Sequence, residues 1–226
     1  MKRFCSFVFP TPRNMSLSLL PDYHYHIFNR GNNCELLFQS ESDYSHFLDL
    51  YAIYANPFFE TYSWCLMNNH FHFCIRVKSD NEFGRFDKRN RWSKDTIVKW
   101  KLHDISEIPV EMQITPNPQR MFAFMFDAYA KYLNRKYAAR GVVFERSCEM
   151  KLIDSDEYLI DLICYIHNNP VKHNICKLPE QYRWSSYTEI LNDNSLFCNS
   201  EKIIQLYSSK DNFIYVHQSK FSNDFD

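Results

Sequence analysis

Apolar and polar positions change period several times along the chain, and each change marks an element. In YHYHIFN (residues 23–29) they alternate, as in a strand with one buried face. NRGNNCE follows as a turn in which Gly31 is free to take positive φ. The period then lengthens. Tyr44, Phe47, Leu48, Tyr51 and Tyr54 recur at helical spacing, with Ser40 or Ser42 available as N-cap. TYSWCL and HFHFCIRV read as strands, and the Met67-Asn68-Asn69 link between them is short enough to require an antiparallel hairpin. MFAFMFDAYAKYLNRKY places Phe122, Met125, Phe126, Tyr129, Tyr132 and Leu133 on one helical face. VVFERSCEMKLI returns as a strand or ribbon. DSDEYLIDLICYIHNN predicts a last strong helix, with Asp154 and Glu157 at capping-box spacing and Pro170 as its end. Strand, helix, two strands, helix, strand, helix predicts an α+β fold: an antiparallel sheet with helices packed on one face.

Three segments fall outside this pattern. Residues 1–21 have no clear period, contain Pro10, Pro12 and Pro21, and read as an N-terminal arm. Residues 79–118 are polar, carry Pro109, Pro116 and Pro118, and read as a variable insertion in a domain spanning 22–191. Within that insertion, residues 85–101 hold seven basic and two acidic side chains, interleaved with Phe86, Trp92 and Trp100. Residues 192–226 form a polar C-terminal tail with room for one more helix.

Composition narrows the function classes. The chain has 226 residues, 45% apolar and 23% charged, which suits one substantial core. Its three glycines form neither GxGxxG nor GxxxxGK[ST], which excludes the Gly-rich phosphate loops. At a net charge of -1, any contact with nucleic acid must come from local patches. The eight cysteines form no CxxC pair and read as reduced core residues. The opening MKRFCSFVFP has a short apolar run stopped by Pro10, so no export signal is expected. No apolar run is long enough for a membrane span, and a cytoplasmic location is expected.

The chemistry concentrates in LMNNHFHFCIRV. Alternation in a strand puts Phe71, Phe73, Ile75 and Val77 on one face, and His70, His72, Cys74 and Arg76 on the other. Two imidazoles at i and i+2 can reach one cation, although such pairs also arise as ordinary strand residues. His24 and His26 have the same spacing on another strand, and periodicity does not choose between the pairs. In the last helix, Tyr165 and Asn169 share a face, with Asp161 one turn earlier. If that face crosses the His70/His72 strand, Asn169 offers an amide oxygen to the same cation, with Tyr165 beside it.

Taken together and in order, YHIFNRGNN, CLMNNHFHF, RGVVFER, DSDEYLIDLICYIHNNPVKH and YRWSSY resemble the single-tyrosine HUH transposases, IS200-like proteins, and in particular their REP-associated branch. The resemblance runs from about residue 23 to 187, interrupted by the insertion. It implies a ferredoxin-like α+β domain, metal ligands at His70, His72 and Asn169, and a nucleophile at Tyr165. A divalent ion, Mg²⁺ or Mn²⁺, is implied as cofactor. The implied partner is single-stranded DNA with palindromic hairpins, and the implied state is a monomer or homodimer. The implied reaction is cleavage and rejoining of DNA strands through a 5′-phosphotyrosine. The alternative is a domesticated relative that binds hairpins without catalysis. One departure is LMNNH, with Asn68 where the family usually has proline. Phosphate contacts are expected from Arg85, Lys88, Arg89 and Arg91, with Trp92 stacking on unpaired bases, and from Lys131, Arg135 and Lys136, with Arg140 and Arg146 beyond them.

Overall fold

The computed structural model describes residues 18–89, 101–145 and 148–219. Four strands, β1 (His24–Arg30), β2 (Phe59–Leu66), β3 (His70–Val77) and β6 (Glu149–Ile153), form one sheet in the order β2-β3-β1-β6, with every pair antiparallel. Helix α1 (Glu41–Tyr54) joins β1 to β2, and α2 (Pro118–Lys136) precedes β6. This is the expected ferredoxin-like arrangement. Between β3 and α2 the insertion contains a small ribbon, β4 (Phe86–Asp87) paired with β5 (Gln113–Ile114).

The first helical layer follows from local chemistry. Ser40 caps α1 and Asp43 completes a capping box, while Asn117 caps α2 and Pro118 starts it. Both helices bury aromatic faces on one side of the sheet. Phe47 and Phe126 pack on Phe71, and Tyr51 stacks on Phe73 at 4.4 Å. Burying each phenyl ring contributes roughly 2–3 kcal/mol.

The opposite face is covered as well. Helix α3 (Asp156–Lys172) crosses β2 and β3, and α4 (Tyr187–Leu191), α5 (Ser200–Leu206) and α6 (Lys210–Ser219) build out that layer. The polar tail thus contributes two packed helices, with Ile203, Tyr207, Phe213 and His217 buried. Between α3 and α4, residues 184–186 run along β2: Leu66 N–H donates to the Trp184 carbonyl and Ser186 N–H to the Trp64 carbonyl. That pairing covers an otherwise open sheet edge.

Three local expectations need correction. Gly31 has φ −63°, and the left-handed residues of the turn are Asn33 and Cys34. Glycine is required there for a close approach, because a Cβ would run into the Glu35 carbonyl oxygen. The cap of α3 is Ser155, which accepts from Tyr158 N–H, rather than Asp154. Pro170 lies inside α3, which continues to Lys172. In the last turn a proline forfeits little helical bonding, and Ile175 N–H still finds the Pro170 carbonyl.

Candidate active site

Register brings the histidines together. On β1 and β3, His26 pairs with Cys74, Phe28 with His72 and Arg30 with His70, all on the face that α3 covers. His70 starts β3 beside the tight turn, and His72 is buried one pleat further on. From α3, Asn169 reaches into the gap between them. Its Oδ1 lies 3.0 Å from His70 Nε2 and its Nδ2 lies 3.4 Å from His72 Nε2. One turn back on α3, the Tyr165 ring stands edge-on to His72, with centroids 5.6 Å apart. Tyr165 is also hydrogen-bonded to Asn169. The four residues singled out from the sequence therefore share one site.

A second ring of groups orients the first. His70 Nδ1 lies 2.7 Å from Asn69 Oδ1, and His72 Nδ1 lies 3.0 Å from His26 Nε2. Protons on both Nδ1 atoms satisfy these contacts and leave lone pairs on both Nε2 atoms. Neutral His70 has one ring proton for two oxygen acceptors, Asn69 Oδ1 at 2.7 Å and Asn169 Oδ1 at 3.0 Å, and in this tautomer Nε2 offers a lone pair on the Asn169 side. Two imidazole nitrogens and an amide oxygen are a donor set that fits a divalent ion such as Mn²⁺.

The electrostatics agree. Burial lowers the His70 pKa to about 4 and that of His26 to about 3, and holds His72 well below the ordinary range. All three rings are neutral near pH 7 and need lose no proton to ligate. Burial raises the Tyr165 pKa, partly offset by its bond to Asn169, so the resting group is a phenol. Lys172 Nζ sits 5.9 Å from the centroid of the Tyr165 ring, and Lys151 is paired with His26 across the strands.

His26 and Asn69 are the residues that sequence reasoning did not assign to the site. The available signal was the second HxH, which neighbouring-strand pairing places on the same face. His24 packs edge-on against Tyr62, away from this centre.

The expected phosphate contacts lie elsewhere. Arg85 is a correction: it is buried, and its guanidinium donates to the Asp80 carbonyl at 2.8 Å, so it presents no charge to a ligand. Arg89 is held by Asp87, whereas Lys88 is exposed on the ribbon. Arg91, Trp92, Trp100 and Arg146 lie outside the described residues. Lys131 pairs with Asp127, Lys136 with the buried Asp43, and Arg135 is exposed. All three belong to α2, in the layer opposite α3, so the structure does not bring them to Tyr165. A cavity of about 490 Å³ beside β2, lined by Trp64, Arg183, Trp184 and Glu189 among others, likewise includes none of the four site residues.

No family model matches the sequence, and no curated protein does. Among solved structures, the fold is similar to that of a REP-associated tyrosine transposase bound to a REP hairpin. The TM-score is 0.50, the sequence identity 11%, and the match covers 80% of this chain and 86% of that one. The chain has that transposase's fold. Among the described residues, no helix is long and apolar enough to cross a membrane, and the seven described cysteines are free thiols.

Proposed function

We propose that the protein is a metal-dependent single-tyrosine transposase that cleaves and rejoins single-stranded DNA at hairpin sites. One observation carries this reading: His70 and His72 turn Nε2 toward the Asn169 amide, with Tyr165 one helical turn away and edge-on to His72. The likeness in fold to a transposase captured on a REP hairpin supports a DNA hairpin as partner. His70, His72 and Asn169 would hold Mg²⁺ or Mn²⁺, and such an ion, when bound, polarises a phosphate oxygen.

Tyr165 does the covalent work. Its Oη forms a bond to phosphorus, the bond from phosphorus to the 3′-oxygen breaks, and the phenol gives up its proton as the leaving oxygen gains one. The 5′-phosphate stays on the tyrosine until another 3′-hydroxyl reverses the exchange. Each step trades one phosphate ester for another, so no nucleotide cofactor is consumed. Asn169 orients the phenol through its hydrogen bond, and His26 and Asn69 hold the two imidazoles in the tautomers that leave Nε2 unprotonated.

The test uses a labelled single-stranded hairpin with Mg²⁺ or Mn²⁺. The natural protein is expected to yield a denaturation-resistant protein–DNA adduct, and Tyr165→Phe none. An adduct from Tyr165→Phe removes the nucleophile assignment. Tight hairpin binding by the natural protein, with no adduct in either metal, favours a non-catalytic hairpin binder instead.

A further inference from the structure

Helix α3 carries a buried histidine between its two working residues. His167 follows Tyr165 by two positions, precedes Asn169 by two, and is fully buried. Its Nδ1 lies 2.9 Å from His217 Nε2 on α6, and its Nε2 lies 2.8 Å from Ser186 Oγ.

The ends of this chain fix its protons. His217 Nδ1 lies 2.7 Å from the Phe213 carbonyl, which only accepts. His217 therefore donates there and accepts at Nε2. His167 must donate from Nδ1, and its Nε2 accepts the Ser186 hydroxyl proton. Ser186 Oγ in turn accepts from Trp64 N–H at 2.9 Å. Four hydrogen bonds thus run with one polarity from β2, next to β3, through α3 to α6. Asn168 reinforces the far end by donating to the His217 carbonyl at 3.0 Å.

Apolar packing alone fixes the rotation of a helix about its axis only to within the width of its buried stripe, because hydrophobic attraction is non-directional, and does not fix it further. A directional chain of ring hydrogen bonds does. Resting on the transposase reading above, we propose that His167 and His217 are positioning residues. They set the rotation of α3, and with it the placement of Tyr165 Oη and the Asn169 amide against His70 and His72. Neither touches the reacting atoms. The C-terminal helix α6 is in this view a working part of the nucleophile's mount.

The test compares His217→Leu, which removes the acceptor, with His217→Gln, whose side-chain oxygen can still accept from His167. Two measurements are made on the full chain: single-turnover adduct formation at saturating hairpin, and the ¹⁹F signal of 3-fluorotyrosine introduced in place of Tyr165. A misplacement of this kind costs about 10- to 100-fold in rate. His217→Leu is expected to lose that much with hairpin Kd unchanged, and to shift or broaden the fluorine line. His217→Gln is expected to restore both. If His217→Leu fails to fold, Ser186→Ala opens the chain at its other end and is read in the same way. A folded variant of either kind with the natural rate and fluorine line overturns the proposal. So does a rate loss that merely tracks weaker hairpin binding. If the natural protein forms no adduct at all, the transposase reading fails, and the fluorine signal still decides the positioning role.

Discussion

At the scale of the residue, the site turns on Asn169. Its Oδ1 lies 3.0 Å from His70 Nε2 and its Nδ2 3.4 Å from His72 Nε2, so one amide faces both imidazoles. Asn169→Ala removes one of the three proposed metal donors, so Mn²⁺ affinity should fall by at least about 10- to 100-fold, the range seen when even outer-shell partners are lost. Titration of the DNA-free protein with Mn²⁺, followed by calorimetry, measures this directly. Unchanged affinity would remove Asn169 from the ligand set. The primary residues were legible in the sequence because spacing along a strand and a helix states which side chains share a face. His26 and Asn69 were not. They act through another residue's ring, and which nitrogen of that ring they engage depends on strand register and rotamer, neither of which spacing encodes.

At the scale of the element, Asp43 joins the two helices of the first layer. Its carboxylate is buried and accepts from the N–H groups of Gln39 and Ser40, from the hydroxyls of Tyr132 and Tyr137, and from Lys136 Nζ. Asp43→Ala removes the capping box of α1 and the acceptor shared by two phenols, and is expected to destabilise by about 2–4 kcal/mol, read from urea unfolding. A loss below about 1 kcal/mol would match an ordinary surface pair and refute the joint. Lys136 illustrates where sequence reading stops. Its position on a basic helical face pointed to phosphate, but the charge is spent on Asp43. Helix α1 was legible because Phe47, Tyr51 and Tyr54, buried in the structure, repeat at helical spacing. Helices α5 and α6 were not, because their burial rests on a few residues, among them Ile203 and Phe213, in otherwise polar turns.

At the scale of the molecule, the third layer makes the active-site face of the sheet an interior, and its histidines must stay uncharged to remain there. His217 is the most separable of these groups, because it lies on α6 and makes no contact with Asn169, His70 or His72. Burial lowers its pKa from 6.5 to about 4. Unfolding returns it to water, where it takes up a proton below pH 6.5. Between those two values the unfolded chain binds more protons than the folded one, so stability rises with pH across that window. The contribution is fully present above pH 6.5 and is lost as pH falls toward 4, at up to about 1.4 kcal/mol per pH unit. Urea unfolding of the natural protein and of His217→Gln, run across that range, should give curves that converge as the pH drops, because the variant has one fewer proton to absorb. Parallel curves would mean that His217 is protonated in the folded chain. That outcome would make His217 Nε2 a donor across the same window and reverse the bond it shares with His167.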